Sequence, residues 1–109
     1  MDTTMPDWDS AMNTNVRASF QLLSLAVPFL KLTKGNATLL SSTAGEKPWP
    51  GYSIFSTSMA MLNMLVKSTA LEVAYFGVRV NAVAPGVTNT KARTKNTNSN
   101  NNFTDAKNN

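Results

Sequence analysis

The chain of 109 residues contains no cysteine and no histidine. That excludes disulfides, thiol nucleophiles, imidazole bases and the usual nitrogen and sulfur metal sites together, so no metal centre is expected. Any acid–base chemistry would depend on Asp, Glu, Lys, Tyr or Ser. Glycine is also scarce: Gly35, Gly45, Gly51, Gly77 and Gly86 are scattered, with no Gly-x-Gly-x-x-Gly turn to let a backbone approach a pyrophosphate. Long apolar runs are missing too, since the stretch from Leu22 to Leu32 is short and broken by Pro28. The opening residues Met1 to Asp7 carry acid where a signal peptide carries base, so the expected location is the cytoplasm, with no membrane partner.

The net charge of +4 raises the question of nucleic acid, and its placement answers it. Lys91, Arg93, Lys95 and Lys107 against Asp105 put most of the excess after Gly86, in a tail without interleaved aromatics. That is a weak electrostatic footprint, and no nucleic-acid partner is expected. The tail itself, 91–109, is rich in Asn, Lys and Thr and offers Phe103 as its one large apolar residue. It cannot bury enough surface to offset its ordering entropy and is expected to be disordered. The triplets Asn36-Ala37-Thr38 and Asn102-Phe103-Thr104 match the glycosylation pattern, but without a secretory signal neither is expected to be used.

Residues 1–90 read as one α/β unit. Asp7 is placed to cap a helix over 8–27, with Met12, Val16, Phe20, Leu23 and Val27 at helical spacing until Pro28 interrupts it. Lys34-Gly35-Asn36 is a turn, and Ala37 to Ser41 and Val78 to Val83 are short apolar strands. Between them, after Pro48-Trp49-Pro50-Gly51, a helix is expected over 52–75. Helix, strand, helix, strand is half of a doubly wound parallel sheet, with the second helix as crossover. That helix is apolar on more than one face, with Lys67 and Glu72 its only charges. The extra face calls for either a second protein surface or further polypeptide of the same domain.

Three landmarks stand in fixed relation: Ser41-Ser42-Thr43-Ala44-Gly45, then Phe55 and Met59 on the long helix, then Asn81-Ala82-Val83-Ala84-Pro85-Gly86. In this the chain resembles the C-terminal half of the short-chain dehydrogenase/reductase family, over about Asp7 to Thr90. The resemblance implies a partial Rossmann-like fold, NAD(P) as the family's cofactor, and oligomers built through helices 8–27 and 52–75. It also implies roles: Ser42 for the serine that bonds the substrate carbonyl, Asn15 for the asparagine that bends its helix and helps hold a relay water, and Pro85, Gly86 and Thr90 for the loop facing the nicotinamide. Plainer roles are open at each place: Ser42 as a strand end, Asn15 as a tolerated helix residue, Pro85-Gly86 as an ordinary turn.

The family places a tyrosine and a lysine four residues apart where this chain has Phe55 and Met59. A carbonyl receiving hydride needs a proton, drawn there from a phenol whose pKa the lysine ammonium lowers. Phenylalanine has no such proton and methionine no charge. At helical spacing the two residues share a face and can form a sulfur–aromatic pair instead. Tyr52 is no substitute, because Ser56 follows it at the lysine spacing and it stands ten residues from Ser42. Lys47 and Lys67 are likewise misplaced. The family's glycine turn is not in this sequence, so no cofactor is expected to bind the chain as given. Three functions from different classes are open: a truncated, catalytically inactive relative of the family, an interaction module docking onto an intact relative through its apolar helices, and an incompletely read NAD(P)-dependent oxidoreductase.

Overall fold

The computed structural model describes residues 3–88. Thr90 and the tail over 91–109, to which the expectations of a cofactor contact and of disorder attach, lie outside them.

The first helix, α1, spans Met5–Ala11 and is started by Thr4, not by Asp7. Thr4 has extended backbone angles and its side chain accepts from the Asp7 N–H, while the Asp7 carboxylate accepts from the Thr4 N–H at 2.9 Å. Asp7 is therefore the third helical residue of a capping box, and Pro6 sits in the first turn, where its missing N–H costs nothing. The donated bonds from the Thr4 backbone, then from its hydroxyl, hold the Asp7 carboxyl below its ordinary pKa.

The chain continues as a π-helical segment, Met12–Arg17, and then as α2, Ala18–Thr33. The helix expected over 8–27 is thus two α-helical pieces joined by a wider turn. Nor does Pro28 end it. Pro28 and Ser24 are both exposed, so water can take the Ser24 carbonyl that the proline leaves without its N–H. The helix stops one turn later at Lys34, which takes the left-handed conformation at φ 52°, with its N–H bonded to the Leu30 carbonyl. A Cβ on the next residue, Gly35, would stand 2.9 Å from Leu30 Cδ2, the end of a side chain that would have to shift to admit it.

Strand β1, Asn36–Leu40, pairs in parallel with β2, Arg79–Val83, with Asn36 opposite Arg79 and Leu40 opposite Val83. Between them come a 3-10 turn, Thr43–Gly45, the long helix α3, Ser53–Val73, and a second 3-10 turn, Ala74–Phe76, closed by Gly77 at φ 76°. This is a small α/β unit with the two strands and crossover helix of a partial Rossmann-like sheet, as the element order implied. Leu23, Val66, Val73, Val78 and Val80 form the core, where α2 and α3 cover one face of the sheet. Lys31 Nζ, 3.9 Å from the centre of the Phe76 ring, ties the end of α2 to the turn leading into β2. Among the described residues no helix is long and apolar enough to cross a membrane, and no cluster of Asp and Glu could hold a metal ion.

Because the Asp7 pKa is lowered on folding, its contribution to α1 is complete above the unfolded value of about 3.9. It is lost as the pH falls through the lower, folded value. Amide exchange at Asp7 and Trp8 is expected to accelerate over that acid range, and in Asp7→Asn to lose the pH dependence. Thr4→Ala, which removes the cap at all pH values, is expected to cost α1 about 1 kcal/mol.

Candidate functional site

The ends of both strands and the start of α3 converge on one corner. The ladder runs past the strands themselves: the Ser41 N–H donates to the Val83 carbonyl at 2.8 Å, and the Thr43 N–H to the Pro85 carbonyl at 3.2 Å. Pro85, having no N–H to offer in return, closes the pairing there. The serine segment and the Pro85-Gly86 loop, some forty residues apart in sequence, are thereby held side by side.

Within this corner Ser42 caps the 3-10 turn, its Oγ accepting the Ala44 N–H at 3.2 Å. That bond uses an oxygen lone pair and leaves the hydroxyl proton uncommitted. Ser41, buried, donates from Oγ to the side-chain Oδ1 of Asn63 on α3. Gly45 lies against the same helix so closely that a Cβ would come 2.9 Å from the Met59 carbonyl carbon and 2.9 Å from Asn63 Nδ2. Asn63, which motif spacing did not single out, therefore fastens the corner from the helix side. Its cue in the sequence is a lone amide on an otherwise apolar helix.

Asn15 sits in the π-helical segment, and that wider turn brings it to α3. Its Nδ2 donates to Ser58 Oγ at 3.0 Å, and Ser58 Oγ donates in turn to the Phe55 carbonyl at 2.7 Å. The Asn15 carbonyl accepts from Ser19 Oγ at 3.0 Å. Ser58 is fully buried at 0 % exposure, so this chain of bonds crosses the interior between the two helices. Ser56, also buried, finds no hydrogen-bond partner for its Oγ among the described residues.

Phe55 and Met59 are placed unequally. Met59 is 5 % exposed, inside the helix–corner contact, whereas the Phe55 side chain is 39 % exposed at the rim. Neither brings a titratable group to the corner. Thr90, expected in the same loop as Gly86, lies outside the described residues.

A second feature is a groove of about 590 Å³ between the π-helical segment and α3, lined among others by Met12, Val16, Phe20, Met61, Met64 and Leu65, with Arg17 its one charged residue. It is almost wholly apolar.

Comparison with known proteins shows the family. Residues 1–109 match a family model described as enoyl-(acyl carrier protein) reductase. A tropinone reductase homolog of Datura stramonium is 44% identical over 89 residues, which cover 80% of this chain and 33% of the relative. Human dehydrogenase/reductase SDR family member 4 is 36% identical over 91 residues, covering 83% of this chain and 33% of that protein. Among solved structures, NADP-bound ElxO superposes with a TM-score of 0.83 at 25% identity over 96% of this chain and 43% of its own. A tyrosine-to-phenylalanine variant of ElxO with NADPH bound gives a TM-score of 0.82 at 26% identity, covering 96% of this chain and 43% of its own. The chain spans about a third of the length of the curated relatives it matches.

Gly45→Ala is expected to destabilise the fold by about 1–3 kcal/mol, because the colliding atoms are helix backbone that cannot move aside. Urea unfolding would measure it. Ser58→Ala, which takes the partner from the half-buried Asn15 amide, is expected to cost about 1 kcal/mol. Adding Asn15→Ala should cost less than the sum of the two single changes, and an additive result would show that the bond between them is not a shared constraint.

Proposed function

The chain belongs to the short-chain dehydrogenase/reductase family, and from that premise we propose that it is a catalytically inactive member. The observation that carries this is Met59: where the family's chemistry needs an ammonium to lower a phenol's pKa and hold a ribose hydroxyl, this chain has a buried thioether, 5 % exposed. Phe55 beside it has a ring without a proton to give. Ser42 and Asn15 remain in the frame: Ser42 caps a turn as an acceptor with its hydroxyl proton still free to donate, Asn15 bridges two helices, and neither replaces the missing acid.

Loss of turnover and loss of cofactor are separate matters. A tyrosine-to-phenylalanine variant of ElxO is known with NADPH bound, so the phenylalanine alone is compatible with a held nicotinamide in that protein. What this sequence lacks for binding is the glycine turn. A longer, NAD(P)-binding oxidoreductase containing this segment would supply that turn elsewhere and would still meet Phe55 and Met59 at the reacting end. In both settings the proton is missing.

A second reading, as an interaction module, is favoured by the apolar surface. Phe20, Phe29, Leu32, Met64 and Leu71 are all exposed on α2 and α3, and the groove between them carries one charge. A face so poor in charge can meet the same face of a second copy, or that of an intact relative, without repulsion.

Purified protein is expected to show no carbonyl reduction with NADH or NADPH and no saturable change in cofactor fluorescence; turnover would overturn the proposal. Phe55→Tyr with Met59→Lys is expected to remain inactive in this chain, which has no cradle for the pyrophosphate. Light scattering over a concentration series is expected to show self-association, and a monodisperse monomer would argue against the docking reading.

A further inference from the structure

The lining of the groove between the π-helical segment and α3 is graded in depth. Met12, Val16 and Leu65 are half-buried and make its floor, with Leu65 packed against the core, while Phe20, Met61 and Met64 stand exposed on its sides. Polar side chains enter at its edge as Asn13, Arg17 and Ser68, and no acidic residue lines it to neutralise Arg17. The two walls run in the same direction, since Asn15 meets Ser58 near their starts while Leu23 packs with Val66 and Val73 further on. From Met12 to Phe20 the trough is about 10 Å long by helical rise. With about 590 Å³ of room it takes one extended alkyl chain of medium length. Three of its apolar residues are methionines, whose flexible, polarisable thioethers mould to a chain without a fixed shape.

We propose that this groove is a binding site for a single-chain amphiphile with an anionic head, a fatty carboxylate taken from solution. The alkyl chain lies along Val16, Phe20, Met61, Met64 and Leu65 and takes their exposed apolar surface out of water. The carboxylate meets Arg17, whose planar guanidinium offers paired N–H donors to its two oxygens. Asn13 Nδ2 and Ser68 Oγ, on the same edge, are further donors. An uncharged chain of the same length gains the apolar contacts alone, and a cationic head meets Arg17 as a like charge with no acid to receive it. Room for one chain beside one cation selects a monomeric amphiphile over a membrane surface, which calls for a projecting apolar face and a cluster of cations. The site is independent of the docking reading: a second copy in the groove would compete with all amphiphiles alike and leave their order of affinity unchanged.

The test titrates the purified full chain, carrying isotope-labelled methionine methyl groups, with decanoate below its micelle concentration and follows the methyl NMR signals. Met61 and Met64 are expected to shift saturably, while Met5, exposed on α1 and outside the groove, keeps its position. Decanol is expected to bind about tenfold more weakly than decanoate, and decyltrimethylammonium more weakly still. Arg17→Gln should weaken decanoate about tenfold and leave decanol unchanged, whereas Lys47→Gln, an exposed cation outside the groove, should change neither. Shifts at Met5 in step with those at Met61 and Met64 would mean unspecific partitioning and overturn the site. So would decyltrimethylammonium binding as tightly as decanoate, or decanoate binding that Arg17→Gln leaves intact. Sedimentation of the chain with phosphatidylglycerol vesicles that decanoate does not displace would assign the face to a membrane and likewise overturn it. The order of the three probes on the unsubstituted chain decides the matter whether or not a variant folds.

Discussion

The contact of the Thr43–Gly45 turn with α3 is a backbone-to-backbone approach, and the geometry around it follows from that closeness. With no side chain at Gly45, the strand end can lie directly on the helix at Met59 and Ala60. The position of α3 is then fixed against β1 at one end, while Leu23, Val66 and Val73 fix it against α2 and the sheet at the other. Asn63 and Ser41 add a hydrogen bond that sets the helix's rotation. Once α3 is so held, Ser58 has one direction in which to point, and Asn15 must come to it. The π-helical turn is the local adjustment that lets an otherwise continuous helix deliver that amide.

Much of this was legible in the residues. Two short apolar segments flanking a long helical one imply a parallel pair with a crossover, and the strands fall within a residue of where the turn-forming glycines put them. The errors were at the helix starts and stops. Asp7 looks like a cap because it precedes the apolar positions, but Thr4 three residues earlier completes a reciprocal pair with it, and a reciprocal pair outcompetes a single bond. Pro28 looks like a terminator because only its own lost bond is visible in sequence. Its exposure, which decides the cost, belongs to the tertiary packing. The π-helical turn has no signature in the periodicity; its cue is Asn15, which the resemblance gives as the asparagine that bends its helix, and the partner of that amide lies forty-three residues away.

The candidate site was legible as a set of positions more than as a set of contacts. The family resemblance paired Ser42 with Phe55 and Met59, but it could not tell that Met59 would be sealed in while Phe55 stayed at the rim. That asymmetry has a physical sense. A lysine at a position so enclosed would need a nearby anion or polar ligand to offset its desolvation, whereas a thioether needs none. With methionine there the desolvation cost does not arise, and the frame keeps its packing.

The alternation of the parallel ladder divides each strand into two populations of backbone groups. Gly35, Ser41 and Thr43 bond across to Arg79, Val83 and Pro85, so the odd-numbered residues of both strands face each other. The even-numbered ones, Thr38 and Leu40 on one side and Val80 and Ala82 on the other, turn their N–H and C=O groups outward, where the two-stranded sheet of the described residues provides no third strand. In deuterated water the sheet should therefore read as stripes, with slow and fast amides alternating along each strand. A chain that acquires a neighbour along either edge would announce which edge by turning one set of fast amides slow.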